Sequence, residues 1–293
     1  MSKFCRRALA ALLTLALLAG VPAGVFALRP DWGYRVASRV RAFGADHPLE
    51  PYTPAETVQF TPSALTDTLL LVNAGHPLPA DFAPTLTEYA DTGLEMHPAL
   101  ADAYAALAAA VLAETGETLL IRDAYRSRAE QEAVYVADPA VAALPGTGEH
   151  EAALALDLCV SGYGGMAFLK TAAGRWVGDN AWQFGLIIRY PDGAEDETGI
   201  PYEPWHVRYV GAPHAEIITA GGLTLEGYIE ALTPGEFWRF GDWCISRQPL
   251  GTSYAVPAGA ADVTVAPDNT GHTILTCRLK TGSLSEGAVG AAD

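Results

Sequence analysis

The clearest alternation of apolar and polar positions runs from Ala153 to Val160. Leu154, Leu156, Leu158 and Val160 fall on one face, and Ala153, Ala155, Asp157 and Cys159 on the other, which is the period-two pattern of a strand. Asp157 therefore stands on a face of small residues. A carboxylate there is costly to bury without a cation or a hydrogen-bond donor. Upstream, Gly146 and Gly148 mark the start of the strand. A second pattern repeats Leu100, Tyr104, Leu107 and Val111 at helical spacing within the alanine-rich stretch 98–115, which Gly116 ends; this predicts a core helix. Residues 118–122 read as a strand, followed by a turn with Arg126 and a short helix carrying Gln131 and Tyr135. Residues 174–184 read as a helix stopped by Gly185, residues 186–190 and 206–210 as strands, and Pro213 and Leu223 open two more helices. Strands joined by helices and long loops, without a regular βαβ beat, predict an α+β domain.

Outside this core the patterns weaken. Residues 29–65 contain five prolines and no strong period, and are expected to form a linker. From residue 233 onward the chain reads as a small β-rich C-terminal extension. Residues 261–266 and 272–279 suggest a hairpin around Pro267-Asp268-Asn269-Thr270-Gly271, and residues 284–293 suggest a disordered end.

Residues 1–28 carry Lys3, Arg6 and Arg7, then an apolar run, then small residues before Ala27. This describes an export signal. The run from Ala8 to Leu28, with only Thr14 polar, is also long enough to serve as an uncleaved membrane anchor. Either way the rest of the chain is expected outside the cytoplasm, in the cell envelope, anchored or secreted. With 34 Asp and Glu against 18 Lys and Arg, the chain lacks the basic surplus that nucleic acid or an anionic membrane surface demands. Of its four cysteines, Cys244 and Cys277 flank the β-rich tail, and in an oxidising compartment they are candidates for a disulfide, with two free thiols as the alternative.

The candidate chemistry gathers in two stretches. His150 lies seven positions before Asp157, an odd offset, so the two can meet only if a turn or bulge intervenes near Glu151. The second stretch holds Glu203 and His206. Two imidazoles and a carboxylate make a three-ligand set that leaves one position open for water, the pattern of a catalytic zinc, with Glu203 as a spare carboxylate. The same set can hold iron in oxygenases, but a nearby free carboxylate fits hydrolysis better. His150-Glu151 opens like the zincin His-Glu-x-x-His but lacks its second histidine, so Glu151 is expected at the surface. No Gly-x-Ser-x-Gly or Ser-x-x-Lys occurs, which removes the common serine-nucleophile routes. His47, His76, His97, His214 and His272 are read as structural.

His150, Ala155 and Asp157 fall on the His-x-x-Gly-x-Ala-x-Asp signature of the LAS metallopeptidases, and Glu203-Pro204-Trp205-His206 on their Glu-x-x-His signature. The chain resembles the VanY-type D-alanyl-D-alanine carboxypeptidases within that family. Leu71-Val72-Asn73, His76 to Pro79, Tyr125-Arg126-Ser127, Gln131, Asn180-Ala181, Phe184-Gly185, Arg189-Tyr190-Pro191 and Tyr209-Val210-Gly211 extend the likeness in order. Two positions depart: Gly148 stands where the family has serine, and Ala153 where it has glycine.

The resemblance implies a LAS/Hedgehog-type fold, a central antiparallel sheet with flanking helices, over residues 66–232. It implies zinc held by His150, Asp157 and His206, Glu203 as catalytic base, and Arg126 facing the substrate. Tyr125, Gln131, Thr147 and Trp205 are candidate substrate contacts, Thr147 as a substitute for the missing serine. The implied reaction is removal of the terminal D-alanine from peptidoglycan stem peptides. An L,D-carboxypeptidase acting on tetrapeptide stems and a wall-binding module with a decayed site are the alternatives. Oligomeric state is not implied.

Overall fold

The computed structural model describes residues 29–139 and 142–280; the expected export or anchor segment and the expected disordered end lie outside them. Among the described residues no helix is long and apolar enough to cross a membrane. The chain divides into two compact units, one made of residues up to 47 with 72–227, the other of residues 48–71 with those from 228 onward.

The first unit is built on a four-stranded antiparallel sheet in the order Leu120–Asp123, Ala155–Cys159, His206–Tyr209, Leu186–Ile188. The helix Pro98–Thr115 covers its apolar face. It begins where His97 accepts a hydrogen bond from the Ala99 amide and Pro98 occupies the first turn, and it ends at Gly116 in the left-handed conformation, so both ends are capped in the manner the sequence suggests. Leu100, Tyr104, Leu107 and Val111 are buried along one stripe, packed with Leu156, Leu158, Val207, Leu186, Phe168 and Val177. The predicted 174–184 helix is two pieces, an α-helix Ala172–Asn180 and a 3-10 turn Ala181–Phe184. The architecture is α+β, with the expected central antiparallel sheet.

The register of this sheet sets up the site. Asp157 lies opposite His206 on one neighbouring strand and opposite Asp123 on the other. A one-residue slip would turn Asp157 into the core, and the buried leucines on the other face of its strand hold the register against that.

The expected linker is structured. Residues 30–44 form a helix started by Pro30, a residue suited to the first turn because its missing N–H has no helical partner there anyway. Arg35 and Arg39 both reach Asp192, at 2.8 and 2.5 Å, and Arg41 reaches Asp179 at 2.7 Å. The prolines beyond it do not exclude strands. Glu50–Tyr52 pairs with Phe237–Phe240, and Thr57–Phe60 with Tyr254–Pro257. Pro51 is tolerated because its strand is the edge of a five-stranded sheet.

That sheet and the two-stranded ribbon make the second unit, around a core of Cys244, Tyr254, Val256, Val265, Leu275 and Cys277. The hairpin expected around residue 267 is present as Ala261–Pro267 against His272–Arg278. Cys244 and Cys277 are direct cross-strand partners and stand as free, buried thiols. The disulfide is therefore not formed, although the register brings the pair together.

Candidate metal centre and active site

The 3-10 turn Glu149–Ala152, closed by Ala153 at φ 59°, ψ 16°, supplies the turn that the odd spacing of His150 and Asp157 demands. It brings His150 back over the strand that carries Asp157. The His150 Nδ1–H donates to the Ala124 carbonyl at 2.6 Å, and since a carbonyl can only accept, Nε2 is the nitrogen left for a ligand. Nε2 is 3.5 Å from Asp157 Oδ1, and Nδ1 of His206 is 2.9 Å from the same oxygen. The two imidazole rings stand edge to face with centroids 5.1 Å apart. Each of the three residues offers a donor atom within 4.8 Å of the others, and both histidines are buried.

The electrostatics of this cluster belong to a cation site. Burial alone would raise the pKa of Asp157, but hydrogen bonds from His150 and His206 outweigh it and hold the carboxyl well below the usual range. Burial would lower His206, yet Asp157 and Glu149 push it up to about 9. The group of atoms thus attracts positive charge at its centre. Two imidazole nitrogens and one carboxylate oxygen, with one side open, are the donor set of a zinc ion that keeps an exchangeable position.

Glu203 lies outside that donor set. Its Oε2 is 3.9 Å from His206 Nδ1 and its side chain remains 28% exposed. Burial, with a smaller contribution from Asp157, raises its pKa, while His206 and Arg126 pull it back. A carboxylate whose pKa is raised beside the open side of a metal set is suited to carry a proton in turnover.

Arg126 follows the strand Leu120–Asp123, and its amide donates to the His150 carbonyl at 3.2 Å. Its guanidinium is anchored by Asp123 Oδ2 at 2.8 and 3.0 Å and by Gln131 Oε1 at 2.6 Å. Gln131 was expected to touch substrate. It is buried, and both ends of its amide are in use, the nitrogen on the Ala143 carbonyl at 2.8 Å; it is a support for Arg126. Thr147 donates its hydroxyl to the Leu144 carbonyl at 2.9 Å, so it is not a ready substitute for the missing serine. Tyr125 and Trp205 are half-buried, and Trp205 packs against the core. Glu151, expected at the surface, is buried, with Arg128 Nε at 2.6 Å and the Gly146 amide at 2.5 Å; the 3-10 turn directs it inward.

A second buried charge group was not anticipated. Glu149 contacts Arg189 Nε at 2.6 Å and Arg208 Nη1 at 2.8 Å, and all three side chains are fully buried. Burial would raise the Glu149 pKa, but the two guanidiniums hold it well below the usual range. Arg189 is gripped on its other side by Glu226 at 2.6 and 2.7 Å. The signal was present in the sequence. Arg189 ends the apolar run 186–188 and Arg208 interrupts a strand, and arginines in such positions need a buried counter-charge. Tyr190 lies beside His206 with ring centroids 5.0 Å apart.

A family model described as VanY, D-alanyl-D-alanine carboxypeptidase, matches residues 93–212, which include the three donors, Arg126 and Glu203. The chain is 33% identical over 183 residues to the bifunctional D-Ala-D-Ala dipeptidase and D-Ala-D-Ala carboxypeptidase VanXYC of Enterococcus gallinarum, an alignment covering 57% of this chain and 95% of that relative. The chain belongs to the VanY family. Another relative, the putative carboxypeptidase YodJ of Bacillus subtilis (strain 168), is 35% identical over 182 residues, 55% of this chain and 67% of YodJ. Among solved structures, this VanY-family chain is similar to the LdcB LD-carboxypeptidase, with 35% identity and a TM-score of 0.51 over 55% of this chain and 84% of that one.

Proposed function

We propose that the chain is a zinc-dependent carboxypeptidase that removes the terminal D-alanine from peptidoglycan stem peptides ending in D-Ala-D-Ala, acting outside the cytoplasmic membrane. The observation that carries this reading is the convergence of His150, Asp157 and His206 within 4.8 Å beside a carboxylate, Glu203, that the donor set leaves over. The activities named for the VanY-family relatives supply the substrate class. Zinc bound by the three donors supplies Lewis acidity towards a carbonyl and towards water. Glu203 takes a proton from the attacking water and passes it to the leaving amine, a role its raised pKa favours. Arg126, fixed by Asp123 and Gln131, presents its remaining N–H groups to the charge that develops on the scissile carbonyl oxygen. Its anchors hold it before substrate arrives, so little ordering cost falls on the reaction. Residues 1–28 act as an export signal or an anchor in this reading, and the β-rich unit contributes no catalytic group.

A second reading, an L,D-carboxypeptidase acting on tetrapeptide stems, is favoured by the 35% identity to LdcB. One assay separates them: the zinc-loaded protein is incubated with pentapeptide and tetrapeptide stems and the released amino acid is identified. D-alanine from the pentapeptide alone supports the main reading, and D-alanine from the tetrapeptide alone supports the second. A protein with bound zinc that releases nothing from either would overturn both and leave a wall-binding module.

A further inference from the structure

Glu149 takes no part in the chemistry above. Its Oε1 receives both arginines, Arg189 at 2.6 Å and Arg208 at 2.8 Å. Its Oε2, although buried, has no hydrogen-bond partner, and neither does Nε2 of His206, also buried. These two atoms face each other at 3.8 Å, just beyond hydrogen-bonding range. Leaving two buried polar atoms unpaired is costly, and each is the complement of the other: a carboxylate oxygen only accepts, and an imidazole that ligates through Nδ1 carries its proton on Nε2.

We propose that Glu149 is a positioning residue for the metal centre, accepting the His206 Nε2–H so that the ring is held with the Nδ1 lone pair towards Asp157 and His150. The inference rests on the zinc reading. Carboxylate, imidazole and metal in series fix both tautomer and ring orientation. The carboxylate is itself held by the two buried guanidiniums, and Arg189 is held by Glu226, which accepts from Asn73 at 3.0 Å. A chain of contacts thus runs from Asn73 to the inner nitrogen of a ligand. Only a carboxylate suits the position, because it accepts on both oxygens. A glutamine would turn its NH2 either on the arginines or on His206, and one side would then hold two donors face to face.

The test compares the full chain, zinc-loaded, with Glu149→Gln and His206→Ala. Zinc affinity is measured by competition with a chelator, and the His206 ring proton by nitrogen-resolved NMR. The expected results are an exchange-protected, hydrogen-bonded Nε2–H in the wild type, and zinc binding about ten- to a hundredfold weaker in folded Glu149→Gln, with that resonance lost or shifted. If Glu149 serves only as a counter-ion for the arginines, the variant melts earlier while zinc affinity and the resonance stay unchanged, and the proposal is overturned. Should the variant fail to fold, a wild-type Nε2–H that exchanges as freely as a solvent-exposed imidazole overturns it equally. Failure of the zinc reading looks different: the wild type then binds no zinc, or His206→Ala binds it as tightly as the wild type.

Discussion

Replacing Gly148 by serine should make this enzyme faster. Gly148 precedes the turn that carries His150, with φ −94° and ψ 137°, and gives that turn no side-chain cap. A Cβ added there would meet the Ala143 Cβ at 3.5 Å and the Gln131 Cδ and Oε1 at 3.7 Å. All are ordinary contacts, and the backbone is in a region open to any residue, so a serine fits without strain. Its hydroxyl would stand near the Gln131 amide that holds Arg126, and in the proposed reading Arg126 faces the substrate carbonyl. One added hydrogen bond is worth about 0.5 to 1.5 kcal/mol, or up to about 3 with a charged partner. In kcat/KM that is roughly two- to thirteenfold, and at most about 160-fold. The same hydroxyl can cap the turn, adding about 0.5 to 2 kcal/mol of stability, or roughly 2 to 4 °C in melting temperature per kcal/mol. The assay is kcat/KM of wild type and Gly148→Ser on a D-alanyl-D-alanine peptide at equal zinc content, alongside thermal melts. An unchanged or lower kcat/KM with a raised melting temperature would refute the reasoning, since the hydroxyl would then be spent on the turn or on Gln131 instead of the substrate.

Glu203→Gln is expected to keep zinc and lose turnover, because the amide preserves shape but cannot accept the proton; metal analysis with a rate measurement checks it, and a near-normal rate removes Glu203 from the mechanism. Ala153→Gly relieves about 1 to 2 kcal/mol of left-handed backbone cost but gives up about 0.8 for a buried methyl and about 0.4 to 1 in unfolded-chain entropy. Denaturant unfolding should therefore find it within about 1 kcal/mol of wild type, and a larger shift in either direction would show that one of these contributions is misjudged. Asp192 is held below its usual pKa by Arg35 and Arg39, against the opposing effect of burial. A carboxylate with a depressed folded pKa contributes stability above its unfolded value, near 3.9, and loses it as pH falls through the folded one. Asp192→Asn should thus melt below wild type at pH 7, by roughly 1 kcal/mol given the exposed arginines, and the gap should close only below about pH 4. A gap that closes between pH 7 and 5 would point to another group.

The parts of the molecule legible in its sequence are those with local causes. The alternation from Ala153 to Val160 and the helical stripe from Leu100 to Val111 reflect burial of one face, which period alone reports. The odd offset of His150 and Asp157 foretold a turn, and the structure places it at residues 149–153. Illegible parts depend on distant partners. Glu50–Tyr52 becomes a strand because Phe237–Phe240 pairs with it, and nothing near Pro51 says so. Glu151 reads as a surface charge because its partner Arg128 lies well upstream in the chain, and the arginines that meet Glu149, Arg189 and Arg208, lie further off still. The departure at Ala153 gave no sign that its methyl is fully buried, which is why an alanine can persist in a conformation that favours glycine.

The second unit is assembled from residues 48–71 and from those beyond 228, so its first two strands leave the ribosome long before their partners do. At about 5 to 20 residues per second, Glu50–Tyr52 and Thr57–Phe60 wait roughly ten to forty seconds for Phe237–Phe240 and Tyr254–Pro257 while the whole sheet of the metal centre is being made. During that interval they are open strand edges without neighbours. Glu50 and Pro51 on the first are the kinds of residue that discourage such an edge from pairing with another chain. Shortening the protein after residue 232 would make that wait permanent, and the truncated product is expected to aggregate where the full chain does not.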